Sequence, residues 1–327
     1  IRSCTFQRSK LAGAYFQGAR IENSDFAHCQ LDGADLLGAT LRSSTFANAS
    51  LRGIDLSDHL LELLSFDGAD FTGAKLVAAR IDKVTMAGAI LAQADLSRIR
   101  LNAVVLRDAV LDGAELAGAI FERVVLDGVN LKKVKLEGLQ LRRCKFSEGD
   151  LSGVTVLRCD LTGSEFGKAN LELARFVECK LQTTNFKDAN LQRASFAQAQ
   201  MKGSFFGGAD LRGANFEQAM LRFSTFTKAD LRKTIFLDAN LRETLLDEAN
   251  AEETFFTGAN LAYADFSNTN ARRADFTRAD LSHAQLHNLK DDGAAFLGAN
   301  RLGARGTDLD RLEAEAYRPP RPSQVRR

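Results

Sequence analysis

The sequence predicts an all-β solenoid, a chain that turns a corner every five residues and stacks its turns along one axis. Three observations predict it. From Ile1 to Leu286 every fifth residue is apolar: 58 positions, of which 56 are Leu, Phe, Ile, Met or Val and only Ala251 and Ala271 are small. Of the 23 phenylalanines, 20 stand on this frame, counting Phe296 just past its end. No insertion or deletion shifts the register along the way. A period of five fits neither the 3.6 of a helix nor the 2 of a flat strand. It marks a repeat architecture.

Each part of the five-residue unit has its own chemistry. Two residues before each large apolar position the chain is nearly always small, as at Ala14, Ala19, Ser24, Cys29, Ala34, Ala39 and Ser44. The residue between is mostly Asp, Asn, Lys, Ser or Thr, and Gly is frequent two residues after (Gly13, Gly18, Gly33, Gly38). One large and one small inward side chain per five residues describe a corner. Four corners close a square coil of about 20 residues, and coils stack through backbone hydrogen bonds as strands do. Sorted by coil, Leu161, Leu181, Met201 and Leu221 line one wall, and Phe166, Phe186, Phe206 and Phe226 line another. Phe176, Phe196, Phe216 and Phe236 form a second aromatic ladder. At a strand spacing of about 4.8 Å, about 15 coils give a rod roughly 70 Å long.

The run Gly208-Ala-Asp-Leu-Arg-Gly-Ala-Asn-Phe216 carries a resemblance, as do the Ala-Asp-Leu and Ala-Asn-Leu tripeptides ending at Leu96, Leu171, Leu191, Leu231, Leu241 and Leu261. With them the chain resembles the pentapeptide-repeat family over residues 1 to about 300. The resemblance implies a right-handed quadrilateral β-helix. It implies a fold and no task, because function lives in sites placed on folds.

The frame sets the expected organisation: repeat solenoid over 1–300, a cap with a short helix over 301–317, and a flexible basic tail over 318–327. Asp310 followed by Glu313 reads as a capping box, with Leu309, Leu312, Ala316 and Tyr317 as the apolar stripe of a helix over 308–317 that Pro319 and Pro320 end. The three prolines all follow residue 318, so the solenoid is expected to run without a kink. Ile1 is already in frame, so the first coil would show an open edge. The expectation is that the rod forms the C-terminal part of a larger protein. No apolar run approaches the about 18 residues of a membrane span, and no secretory signal pattern is visible. A cytoplasmic setting is expected, or secretion by a dedicated bacterial system if the larger protein is an effector.

Little in the chain promises catalysis. All five cysteines (Cys4, Cys29, Cys144, Cys159, Cys179) occupy the small inward slot, where they read as space-fillers. Cys159 and Cys179 stand one coil apart and read as a reduced stacked pair. His283 and His287 have helical metal-ligand spacing, yet the frame runs on through Leu286 and puts them on different faces as surface residues. His59 takes a small inward slot beside Leu60, Leu61, Leu63 and Leu64 and reads as a local bulge. Acids and hydroxyls are spread evenly by the repeat, so no triad, phosphate loop or carboxylate pair stands out. The reading is no enzyme and no cofactor or metal.

Function is therefore expected on the outside. Outward slots are apolar at Ile90, Val105, Val110, Ile120 and Val125, and again at Phe205, Met220, Phe223, Ile235, Leu245 and Phe255. Exposed apolar patches mark partner surfaces, so these residues are the candidate site for a protein partner or a homodimer. Lys202, Arg222 and Arg242 form a basic ladder, with Arg212 and Arg232 on the opposite side. Lys132, Lys133, Lys135, Arg142, Arg143 and Lys145 form a mid-rod basic belt, which acidic neighbours offset and no aromatics interleave. A single-strand nucleic-acid platform is thus not expected there. The favoured reading is a non-enzymatic interaction scaffold, of the kind the resemblance allows on a bacterial secretion-system adaptor or effector. The alternative that the resemblance implies is a DNA-mimicking modulator of DNA gyrase of the quinolone-resistance type. A 70 Å mimic of duplex DNA would need roughly 40 uncompensated negative charges. This chain balances 43 Lys and Arg against 42 Asp and Glu, and it lacks the inserted loops of the quinolone-resistance members.

Overall fold

The computed structural model describes residues 1–316; the expected tail, and Tyr317 of the expected stripe, lie outside the described residues. The chain coils with four sides, and on each side residue i pairs in parallel with residue i+20, as in Asn190↔Asp210↔Asp230↔Asn250.

One unit shows why the period is five. Phe206 N–H donates to Thr225 O of the next coil at 2.7 Å, and Gly207 and Gly208 make the corner. Ala209 N–H closes the turn on Phe206 O at 3.0 Å, and Asp210 N–H reaches back to Ala189 O of the previous coil at 3.0 Å. The second corner residue is left-handed, with φ 68° at Gly208, the demand of a type II turn and the reason Gly recurs there. Asp and Asn recur just before the large residue for a second reason. Their side chains accept the first corner N–H, as Asp25 Oδ1 does from Ala27 at 2.9 Å and Asp95 from Ser97 at 3.0 Å.

Most sides pair through single bridges, and two become short sheets. β1 (Arg20–Glu22), β2 (Thr40–Arg42), β3 (Leu60–Glu62), β4 (Arg80–Asp82), β5 (Arg100–Asn102) and β6 (Ile120–Glu122) stack in order. The chain then forms β7 (Leu136–Glu137) on a neighbouring side, and β8 (Gln140–Arg142) completes the first sheet as its seventh strand. β9 (Thr155–Leu157) and β10 (Arg175–Val177) extend β7 into a three-stranded sheet.

The interior is filled by the frame residues. Phe166, Phe186, Phe206 and Phe226 stack at 5.2, 5.1 and 4.7 Å between ring centres. The second ladder meets them edge-on, Phe206 to Phe216 at 5.6 Å and 88°. Offset stacks along each wall and edge contacts between walls are the favoured aromatic geometries. Hydroxyls in the small slots are buried but satisfied: Ser204 Oγ donates to Leu181 O at 2.7 Å and Thr254 Oγ1 to Leu231 O at 2.6 Å.

The C-terminal end departs from expectation in three ways. The helix α1 runs Leu309–Ala316, and its N-cap is Asp308, whose Oδ1 accepts Arg311 N–H at 3.1 Å. The cap therefore falls two residues before the Asp310/Glu313 box, where the chain leaves its last bridge at Arg305. The helix buries no residue and leaves Leu309 74% exposed. It does not close the core with an apolar stripe; Leu289, Ala294, Phe296 and Ala299 of the last coil stay only partly buried. Its polar face packs on the wall instead. Glu315 reaches Asn268 and His287 there, at 3.4 and 3.3 Å.

Candidate interaction surfaces

His287 is the first correction among the site residues. It is 3% exposed rather than a surface residue, because its ring fills the angle between wall and helix. Nδ1 accepts the Asp308 N–H at 3.1 Å, so the proton sits on Nε2 and points at Glu315. His283 lies at another corner, stacked on Tyr263 at 4.9 Å, and the two histidines share no ligand position. His59 is turned inward, with Nδ1 3.0 Å from Ser57 O and Nε2 2.9 Å from Leu36 O. The Asp35↔Asp55 bridge is missing from the wall beside it. The cysteines are free thiols, and burial pushes Cys144 and Cys179 up to about 12 and Cys159 to about 11. Such thiols stay protonated near neutrality and make poor nucleophiles or metal ligands.

The outward apolar residues do not form one patch. Ile90 and Val110 are paired on one face, Val105 and Val125 on the next, and Ile120 sits in β6 on a third. In the second group Ile235 and Phe255 pair on the side opposite to Phe205 and Leu245. Phe205, Thr225 and Leu245 share a face, Met220 lies on the adjacent face, and Phe223 occupies the corner between them. These last five residues, with Thr225 intermediate, make the continuous part of the surface. Phe205, Met220, Phe223 and Leu245 are each 38–51% exposed.

The basic ladder runs along that same corner, which the sequence did not reveal. Phe223 is flanked by Lys202 Nζ at 5.5 Å and the Arg222 guanidinium at 4.4 Å from its ring centre. Two coils on, Arg242 lies 4.7 Å from the ring centre of Tyr263, whose ring also stacks on His283. Glu243 joins the two halves, accepting from Arg222 at 3.0 Å and Arg242 at 2.9 Å. Tyr263, which the sequence reading did not single out, stands in the same corner slot as Phe223 two coils on, and the coil geometry places it beside Arg242. The result is a convex ridge of cations and ring edges flanked by Met220, Phe205 and Leu245. The ring faces carry cation–π contacts, so the ridge presents edges more than open stacking platforms.

The mid-rod belt behaves as expected for a solvated surface. Lys132, Lys133, Lys135, Arg142, Arg143 and Lys145 each pair with a carboxylate: Asp150, Asp112, Glu137, Asp160, Glu122 and Glu165. No outward column is continuously acidic. The column Asp35, Asp55, Lys75, Asp95, Glu115, Lys135 is broken by lysines, and the column Asp150, Asn170, Asn190, Asp210, Asp230, Asn250 by neutral amides.

A pentapeptide-repeat-region model matches residues 1–76 and 157–226, and a model of eight pentapeptide copies matches segments within 65–138 and 225–288. The chain belongs to the pentapeptide-repeat family. Among solved structures it is similar to HetL of the cyanobacterium Nostoc sp. strain PCC 7120, a pentapeptide repeat protein involved in heterocyst differentiation regulation. Identity there is 25% and TM-score 0.23, over 77% of this chain and 89% of HetL. It is also similar to full-length QnrB1, a plasmid-mediated fluoroquinolone resistance protein, at 19% identity and TM-score 0.28 over 60% and 98% of the two chains. A pentapeptide repeat protein of the Arabidopsis thaliana thylakoid lumen matches at 23% identity and TM-score 0.16, over 38% and 72%. No curated protein matches the chain. No helix among the described residues is long and apolar enough to cross a membrane.

Proposed function

We propose that this protein is a non-enzymatic interaction scaffold that presents its ridge at Lys202–Tyr263 to a protein partner. The observation that carries this reading is the joining of exposed apolar side chains (Phe205, Met220, Phe223, Leu245) with three cations on one convex edge of a rigid rod. Aromatic and Arg side chains together are the usual anchors of protein interfaces. The interior supports the reading from the other side, because its walls are filled by stacked rings and leave the chemistry to the surface. A scaffold appended to a bacterial secretion adaptor or effector is the setting this reading favours. A DNA-mimicking gyrase modulator is the other candidate, and the interrupted acidic columns and balanced charge count against it.

Two measurements separate them. A photo-crosslinking residue placed at Phe223, and in a second variant at Thr155 on a face away from the ridge, should give a discrete adduct in host cells at Phe223 alone. Equal labelling at both positions, or none, would remove the ridge from consideration. A gyrase supercoiling titration of the purified rod, with and without a quinolone, should show no effect at tens of micromolar. Inhibition or drug protection at or below about micromolar protein, the range of a specific complex, would establish the mimic instead.

A further inference from the structure

The i to i+20 ladder is not continuous on all four sides. Between Val110 and Asp150 the bridges through Asn130 are missing, and on the next side so is the bridge between Glu115 and Lys135, although β7 and β9 pair Leu136 with Val156 just beyond it. The N–H groups of Leu111, Gly113, Leu116, Leu131 and Lys133 make no backbone bond to the next coil, although their counterparts Leu91, Gln93 and Leu96 do. The other two sides stay closed at the same height, through β6 and β8 on one and Val105↔Val125↔Lys145 on the other.

The cause is written in the small inward slots. Over this coil they hold Val124, Val129, Val134 and Leu139, the longest run of large residues in those slots. The coil before places Val104, Ala109, Ala114 and Ala119 in the same slots, and the coil after places Cys144, Gly149, Val154 and Cys159 there. Extra methyl groups in a filled interior push walls apart. The spread leaves an apolar void of about 10 Å³ lined by Leu131, Leu136, Leu141, Phe146, Leu151 and Val156 among others.

What crosses the open seam is ionic. Lys133 Nζ reaches Asp112 on the coil before at 2.7 Å, and Lys132 Nζ reaches Asp150 on the coil after at 2.6 Å. Both lysines sit at the corner between the two open sides, and both pairs are exposed to solvent.

We infer that the coil at Asn130–Lys135 is a one-sided joint, zipped along β6 and β8, which bends the rod by opening at the Lys132/Lys133 corner and is latched there by two salt-sensitive ion pairs. The rod on either side moves as a rigid block, because elsewhere its coils are bonded on nearly every side. A scaffold with such a joint changes the angle between the ridge, which lies wholly in the second block, and whatever the first block holds. Exposed ion pairs are screened by salt, so the angle responds to ionic strength or to a polyanion that competes for the two lysines.

The test uses spin-label distances on the described chain with Cys4 replaced by Ser, the other four cysteines being buried. Lys75→Cys with Arg175→Cys spans the seam on an open side, and Arg100→Cys with Gln200→Cys spans it on the closed side. Each pair is five coils apart, about 24 Å at strand spacing. Gln200→Cys with Asn300→Cys spans the same length within the second block. The Lys75/Arg175 distribution should be at least about twice as wide as the other two, as for a hinged segment. It should widen further in about 1 M salt, where the screening length falls to about 3 Å, and in the Lys132→Gln, Lys133→Gln variant. Equal widths on the two sides would overturn the joint. Unequal widths that ignore both salt and the lysine variant would overturn the ionic latch. Val129→Ala, Val134→Ala and Leu139→Ala together should narrow the distribution; unchanged width in a folded variant would overturn the assigned cause.

Discussion

Arg242 lies with its guanidinium 4.7 Å from the ring centre of Tyr263, on the next coil of the same corner. The pair exists because a coil advances one strand spacing, so a side chain one corner slot along and one coil up lands on its neighbour. The same register sets Lys202 beside Phe223. Both rings are about half exposed, 43% at Phe223 and 48% at Tyr263, so their loss costs the fold little. The Phe223→Ser, Tyr263→Ser variant should therefore unfold within about 0.5 kcal/mol of wild type in denaturant titration, as surface changes usually do. Tyr263→Ser alone, in the chain that carries the photo-crosslinking residue at Phe223, should also weaken the adduct described above. A large stability loss would mean that the ridge serves the fold and not a partner.

The core makes the contrasting prediction. Phe216 stacks between Phe196 at 5.0 Å and Phe236 at 5.1 Å and meets Phe206 and Phe226 edge-on at 5.6 and 6.1 Å. Truncation leaves a cavity that the four neighbouring rings cannot fill without leaving their own ladders. Phe216→Ala should cost about 3–5 kcal/mol. Phe6→Ala, in the partly buried first coil, removes the same side chain but should cost well under half as much. Equal costs would show that the interior packs without regard to position along the rod.

Most of the fold was legible in the sequence because every unit repeats the same physics. Leu211 and Phe216 report the large inward slot, Ala214 the small one and Gly213 the left-handed corner, and 58 repetitions remove any ambiguity of period. What the sequence hid depends on neighbours across coils or on the end of the chain. His287 looks like a surface histidine until the chain folds back and brings Asp308 and Glu315 to its two nitrogens. Asp308, not Asp310, caps the helix because Thr307 is still tied to the wall, accepting Asn288 N–H at 3.2 Å. The run Val124–Val129–Val134–Leu139 was visible as letters. Its consequence, a ladder open on two sides only, requires knowing that the coil had no spare room.

Buried hydroxyls give a third, smaller effect. Ser204 Oγ donates to Leu181 O at 2.7 Å, and its own N–H lies 3.2 Å from Ser224 Oγ on the next coil. Ser204→Ala removes the first bond and leaves the Leu181 carbonyl only the longer Thr184 N–H bond, at 3.3 Å. The expected loss is about 1 kcal/mol by denaturant midpoint, the usual net value of such a bond. Ser204→Cys keeps a weak donor of similar shape in a slot where this chain already uses Cys144, Cys159 and Cys179, and it should recover part of the loss. A neutral Ser204→Ala result would show the hydroxyl is a space-filler.

The latch at the seam carries its own pH dependence. Lys132 Nζ, and then Ser152, hold Asp150 at about 2, below the ordinary 3.8 of an aspartate. A carboxyl whose pKa is lowered on folding contributes stability that is present above the ordinary value. That stability is lost as pH falls from there through the folded value. The Lys132–Asp150 pair should thus be intact from neutrality down to about pH 4 and released between about pH 4 and pH 2. Its side chains are 40% and 56% exposed, so solvent screening keeps its worth below about 1 kcal/mol. Wild type should therefore exceed Lys132→Met in urea midpoint by a small, constant margin at pH 5 to 8. The margin should shrink to nothing as the pH approaches 2. On the spin-labelled chain, the Lys75/Arg175 distribution should begin to broaden in the same acid window and show no change between pH 5 and pH 8. Broadening centred near pH 6 would assign the latch to a histidine rather than to Asp150, and a margin that survives to pH 2 would mean Lys132 acts through its aliphatic stem.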